Sequence, residues 1–187
     1  MRPFPSPAHI IWYNCLDSTN KELRRHIGEL DNLSIIAAKS QTAGRGQGDH
    51  TWFSSPDTNL LFSILLEFPE GSLKATREQI INDFITPAVC SFLKEESVNA
   101  WVKQPNDIYV EDRKICGILV ENILEGAFVK YSIVGVGLNI NQETFPEELP
   151  NPVSLYQLTG KKYPLEHTLE RISDLCKKNW IEVFRLP

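Results

Sequence analysis

The chain has 187 residues, 42% of them hydrophobic and 23% charged, a make-up that suits one folded domain and argues against extended disorder. Its 19 Lys plus Arg are outnumbered by 24 Asp plus Glu, for a net charge of −5, so general nucleic-acid or membrane-surface binding is disfavoured and any anion site has to be local. Cys15, Cys90, Cys116 and Cys176 are widely spaced with no CxxC pair, which excludes a disulfide framework or a zinc site and points to reduced thiols in a cytoplasmic protein. The N-terminus has no apolar core of signal-peptide length, and no later run is long enough to span a bilayer.

Along the chain, STNKELRRHIGEL (Ser18 to Leu30) carries a Thr19-x-x-Glu22 capping-box pattern and puts Leu23, Ile27 and Leu30 on one face, which predicts a helix. Leu33–Ser40 and Asn59–Phe68 are apolar runs of strand length, so the glycine-rich loop between them joins strand to strand. Thr76–Glu96 spaces Ile80, Phe84, Val89 and Leu93 as a helix does, with a kink expected at Pro87. Four β-rich runs follow, AWVK, DIYV, KICGILVENIL and AFVKYSIVGVGLNI, separated by turns at Pro105-Asn106, Glu111-Asp112 and Glu125-Gly126. They predict an antiparallel meander. Pro150-Asn151-Pro152 ends it, SLYQLTG reads as a short helix, and Pro164 opens a last helix with Leu165, Leu169, Ile172 and Leu175 on one side. The expected fold is α+β, a mainly antiparallel or mixed sheet with helices packed against it.

The loop QTAGRGQGDHTW (Gln41 to Trp52) sets three glycines around Arg45. Glycines without a Cβ let backbone N–H groups approach an anion closely. A dinucleotide fingerprint is excluded because that motif opens a helix, and a Walker loop because no Gly-Lys-Ser/Thr is present. Three further segments also place polar residues or glycines in β-rich surroundings: LDSTN (Leu16–Asn20), KQPNDIYVEDRKICG (Lys103–Gly117) and GVGLNIN (Gly135–Asn141). Each alone has a plain reading. Asn106-Asp107 turns the chain, Lys103 is a solvated charge, and Gly135 and Gly137 relieve packing.

Taken together and in order, these segments resemble the catalytic domain of the biotin protein ligase family. The resemblance covers Trp12 to Leu158 and rests on Ser18-Thr19-Asn20, Gln41 with GRGQGDHTW, SSPDTNLLFSILL, KQPNDIYVEDRKICGILVE and GVGLNIN. It implies a class II aminoacyl-tRNA synthetase-like, biotin–lipoate ligase fold. It also implies that 1–187 is a single catalytic domain, with the small C-terminal β domain of many relatives absent or truncated. Too few residues precede Trp12 for the helix-turn-helix that some relatives carry.

The implied activity joins biotin to ATP as biotinyl-5′-AMP, with Mg²⁺, and passes the biotinyl group to a lysine of a biotin carboxyl carrier domain. Lys103 and Arg45 are the implied catalytic cations. Ser18, Thr19, Asn20, Gln41, Gly44, Arg45, Gly46, Gln47, Lys103 and Gly117 are the implied biotin contacts, and Arg45, Gly46, Trp52, Asn106, Lys114 and Asn139 the adenylate contacts; no metal-binding side chain is implied. No nucleophile is needed, since AMP itself is the leaving group, and Cys116 reads as packing.

Ser18 also reads as an N-cap, and Trp52 as ordinary core. The loop departs from the family's G-R-G-R-R-G-R-x-W, with Gln47, Gly48 and His50 where arginines often stand, and Gln104 replaces the tryptophan usual before Pro105. Residues 45–51 are expected to be loose without ligand. The alternatives are a lipoate or octanoate ligase-like acyl transferase and a catalytically weakened biotin-binding domain. An exposed sheet edge would allow two copies to pair as a homodimer.

Overall fold

Seven short runs with strand periodicity pair into one sheet in the computed structural model, which describes residues 9–184. In chain order the elements are β1 (Ile10–Tyr13), α1 (Thr19–Arg25), β2 (Ile35–Ala38), β3 (Leu60–Glu67), a 3₁₀ turn (Ala75–Arg77), α2 (Gln79–Glu95), β4 (Trp101–Lys103), β5 (Asp107–Val110), β6 (Arg113–Glu125), β7 (Phe128–Leu138), α3 (Leu155–Thr159) and α4 (Leu165–Val183). The strand order is β1-β2-β3-β7-β6-β5-β4. Only the β1–β2 pair is parallel, and β4 to β7 form the expected meander. β1 is not among the elements that the sequence pattern predicts.

Side chains alternate across a strand, so β3, β6 and β7 present two unlike faces. One face carries Leu60, Phe62, Ile64 and Leu66 of β3, Ile118 of β6, and Val134, Val136 and Leu138 of β7. These pack with Phe84, Ile85, Val89 and Phe92 of α2 and Leu169 and Ile172 of α4. Each such side chain, fully withdrawn from water, contributes about 1.5–3 kcal/mol. Arg171 ties the two helices together through Glu95 at 2.9 Å and Glu96 at 2.6 Å. The opposite face holds a smaller cluster of Leu23, Ile36, Leu65 and Ile133 under α1.

Two local expectations are corrected. The Thr19-x-x-Glu22 pattern does not form a capping box: Ser18 occupies the N-cap position with no side-chain cap, and Glu22 turns instead to Arg25 and His26. The capping box of the molecule is at Ser154, whose Oγ accepts from Gln157 N at 3.2 Å while Gln157 Oε1 accepts from Ser154 N at 3.1 Å. α1 also stops at Arg25 rather than Leu30, and Gly28 at φ +90° carries the chain out of it, although Ile27 and Leu30 still pack on the Leu23 cluster. α2 continues as a helix through Pro87. The residues after Phe184 lie outside the described range. Among the described residues no helix is long and apolar enough to cross a membrane, and no group of three or more His, Cys, Asp or Glu is arranged to hold a metal ion.

Candidate active site

The smaller face leaves a cavity of about 370 Å³ between the start of α1, the glycine loop and the sheet. That volume lies within the range of small-molecule sites. Its lining includes Ser18, Thr19, Asn20, Gln41, Arg45, Trp52, Asn106, Lys114 and Gly117. Four segments far apart in sequence therefore meet here.

The α1 end of the cavity is a polar cage with its hydrogen bonds already allocated. Thr19 N donates to Gln41 Oε1 at 2.7 Å, which fixes the amide and leaves the Gln41 NH₂ group to act as a donor. Ser63 Oγ lies 2.8 Å from Thr19 Oγ1 and 2.6 Å from Asn20 Oδ1. The Asn20 oxygen can only accept, so the single Ser63 proton goes to it and Thr19 donates to Ser63, leaving Thr19 lone pairs facing the cavity. Ser18 is 3% exposed, and its hydroxyl is not used to cap α1. An acceptor, a donor and a versatile hydroxyl thus converge at one end.

The floor is made by glycines. The β6–β7 register pairs Gly117 with Gly137 and Leu119 with Gly135, and β3 brings Ser63 opposite Gly135. A Cβ at Gly135 would fall inside the Asn20 amide, and one at Gly137 inside the Trp52 indole. At Gly117 it would stand 2.7 Å from Trp52 Cζ3. Trp52 therefore lies over the Gly117–Gly137 pair, with its Nε1 buried and without a partner among the described residues.

The loop closes on itself as a hairpin. Gly46 N donates to His50 O at 2.7 Å, Trp52 N to Gly44 O at 3.0 Å, and Gly48 turns the chain at φ +61°. The Gly46 amide is consequently spent inside the hairpin. Arg45 Nη1 donates to Glu121 Oε1 at 3.0 Å.

Of the residues singled out from sequence, Lys103, Gly44 and Asn139 do not line the cavity. Lys103 is exposed on the outer strand β4, with Nζ 4.8 Å from the centre of the Tyr109 ring. Tyr109 does line the cavity, which places Lys103 one side chain beyond its rim. Gly44 closes the hairpin, and Asn139 is buried with Nδ2 donating to Val153 O at 3.1 Å. Lys114 lines the cavity instead, with Nζ 2.7 Å from Asp107 Oδ1 and 5.7 Å from the Trp52 ring centre. Asn106 is held by the carbonyl of Ile118. Gln47 and Gly46 sit on the loop side of the cavity. Burial drives the Cys116 thiol far above its ordinary range, so it is inert packing.

Residues 12–139, more than half of the chain, match the family model for the biotin/lipoate A/B protein ligase family. The chain belongs to that family. The curated relatives include the bifunctional ligase/repressor BirA of Escherichia coli, 33% identical over 136 residues, which are 73% of this chain and 42% of the relative. The BirA protein of Bacillus subtilis is 31% identical over 173 residues, 88% of this chain and 51% of the relative. The chain spans about half the length, or less, of these relatives. A structure of the biotin protein ligase from Aquifex aeolicus in complex with biotin and ATP superposes with a TM-score of 0.77 at 28% identity, covering 91% of this chain and 69% of that one. The α+β, class II aminoacyl-tRNA synthetase-like fold expected of a biotin/lipoate ligase domain is the one found.

Sequence reasoning missed several residues of this site. Ser63, Tyr109 and Glu121 fall inside the motif segments without being singled out, Asp107 reads with Asn106 as a turn, and Gly135 and Gly137 read as packing relief. Strand alternation puts Gly117, Leu119 and Glu121 on one face and would have found Glu121. Ser63 and Gly135 needed the pairing register, which only the fold supplies.

Proposed function

We propose that this chain is an ATP-dependent biotin protein ligase domain that makes biotinyl-5′-AMP and biotinylates a lysine of a biotin carboxyl carrier domain. The observation that carries the reading is the cage of Ser18, Thr19 and Gln41, whose free lone pairs and NH₂ group match the N–H donors and the carbonyl of a ureido ring. The apolar fused rings and chain of biotin would lie along the glycine floor once the Trp52 indole moves off it. Arg45, held near Asn20 through Glu121, would meet the carboxylate, and Lys114, with Nζ 5.7 Å from the Trp52 ring centre, and Asn106 would meet the nucleotide.

In the first step the biotin carboxylate oxygen bonds to the α-phosphorus of ATP and the bond to pyrophosphate breaks. Bringing two anions together needs fixed positive charge, which Arg45 and Lys114 supply. Magnesium bound to the nucleotide phosphates would add further positive charge there. Asp107 is the one carboxylate among the described lining residues able to assist it. In the second step a neutral lysine amine of the carrier bonds to the acyl carbon, AMP leaves with the electron pair, and the amine proton passes to solvent. β1 and β4 are the two outer strands of the sheet, and either edge would let two copies pair.

Incubation with biotin, Mg-ATP and a carrier domain, followed by intact mass of the carrier, tests the proposal. One added biotinyl group supports it. No addition, with no pyrophosphate released, rejects it. A second reading, a biotin-binding domain with weakened adenylation, is favoured by one arrangement. Lys103 lies outside the cavity, and Arg45 and Lys114 each already face a carboxylate. Calorimetric biotin binding with no adenylate formed would select that reading.

A further inference from the structure

Glu121 is not among the residues lining the cavity, yet it touches the groups that shape it. It follows Leu119 by two residues on β6, and its side chain keeps 19% exposure. Oε1 accepts from Arg45 Nη1 at 3.0 Å, Oε2 accepts from Asn20 Nδ2 at 3.1 Å, and Arg24 Nη2 stands 3.7 Å away. One carboxylate therefore joins the glycine loop to the start of α1. We propose that Glu121 is a positioning residue, aiming the Arg45 guanidinium before substrate arrives and locking the loop to the Ser18-Thr19-Asn20 cage. The inference rests on reading the cavity as an acyl-adenylate site.

The guanidinium is a planar fork with five N–H donors, of which Glu121 takes one. The Arg45 side chain remains 45% exposed, so the rest of the fork stays open to a second anion. A half-exposed single-point pair is weak, whereas a carboxylate or phosphate can engage the fork at two points. Glu121 thus orients Arg45 without withholding it. Orientation matters more here than in relatives with several loop arginines, because Gln47, Gly48, Asp49 and His50 supply no second permanent cation. The Asn20 link has a separate job: Asn20 Oδ1 is tied to Ser63, so its Nδ2 bond to Glu121 fixes the amide that sits over Gly135.

Glu121→Gln separates the two links, because the neutral amide still offers Asn20 an acceptor but no longer holds Arg45 by charge. In biotin-dependent pyrophosphate release, Glu121→Gln is expected to raise KM for biotin about tenfold while kcat changes by less than about twofold, since orientation is lost before chemistry begins. In an Arg45→Ala background the same substitution should have no further effect. A merely structural role predicts equal effects in both backgrounds, and that result, or an unchanged KM, overturns the proposal. Hydrogen exchange of the 44–52 amides in the ligand-free protein is a second readout that needs no turnover. Exchange should quicken in Glu121→Gln and Arg45→Ala alike, and wild-type protection in Glu121→Gln overturns the link between loop and sheet. If the wild-type protein releases no pyrophosphate with biotin, the ligase reading fails, and loop exchange still decides whether Glu121 holds Arg45.

Discussion

The two faces of β3, β6 and β7 are made by the same strands and do opposite work. Towards α2 and α4 every second residue is large and apolar, as in Leu60, Phe62, Ile64 and Leu66, and the face is closed. Towards α1 the alternate positions include Ser63, Gly117, Glu121, Gly135 and Gly137, and the face is left open enough to hold a ligand. A core wants volume; a site wants volume removed in one place and polar atoms fixed beside it. The comparison suggests that stability and binding are separable here, because substitutions on one face need not be felt on the other.

The largest expected effect is on the closed face. Phe62→Ala should cost about 3–5 kcal/mol in chemical denaturation, from lost burial plus the cavity it leaves. A cost below about 1 kcal/mol would break the distinction between the faces. Gly137→Val is the reciprocal test. Its side chain displaces the Trp52 indole and fills the floor, so biotin affinity by calorimetry should fall at least about 100-fold with the unfolding midpoint nearly kept. Unaltered affinity would mean that the ligand does not use the floor.

Asn20→Ala sits between the two cases. It takes from Ser63 the acceptor of its proton and from Glu121 one of its donors, in a site where Asn20 is only 3% exposed, so about 1–3 kcal/mol of stability should be lost together with biotin affinity. Loss of one without the other would show that the cage and the fold are less coupled than the hydrogen bonds indicate.

The smallest effect concerns α1, which presents the cage. Hydrogen bonding to Arg25 holds the carboxyls of Asp17 and Glu22 below their ordinary values, and Glu29 followed by Glu22 raises His26. The carboxylate contribution is present above the ordinary values of 3.8 and 4.5 and is lost as pH falls through the lowered ones. The histidine contribution is complete below 6.5 and is lost as pH rises through the raised value. Hydrogen-exchange protection of α1 should therefore be greatest between pH 4.5 and 6.5 and decline on both sides. Intrinsic-rate-corrected protection that is flat across that range would remove the network from the account.

The two faces also differ in how far the sequence revealed them. The closed face was legible because apolar spacing reports burial directly, and the strands from Leu33–Ser40 through the meander emerge where Ile, Val and Leu recur. Much of the open face was legible only as motifs. Ser18, Thr19, Gln41, Arg45 and Trp52 were named from their segments, and they do converge. Lys103 does not line the cavity, because its position at the end of β4 says nothing about where its flexible side chain points, and Tyr109 offers its ring as a nearer partner. The Glu22 capping box failed for a similar reason, since Arg25 and His26 one turn later compete for the carboxylate. Pairing across strands, which brings Ser63 to Asn20, is a long-range property that no local pattern encodes.

The most direct test of the central claim is hydrogen exchange across the whole chain with and without biotin. The account predicts new protection confined to residues 18–20, 41–52 and 135–137, with the amides of α2 and α4 unchanged. Protection that appears instead around a separate hollow of about 350 Å³, lined by Glu67, Gly71, Phe128 and Lys130, or at none of these places, would contradict it.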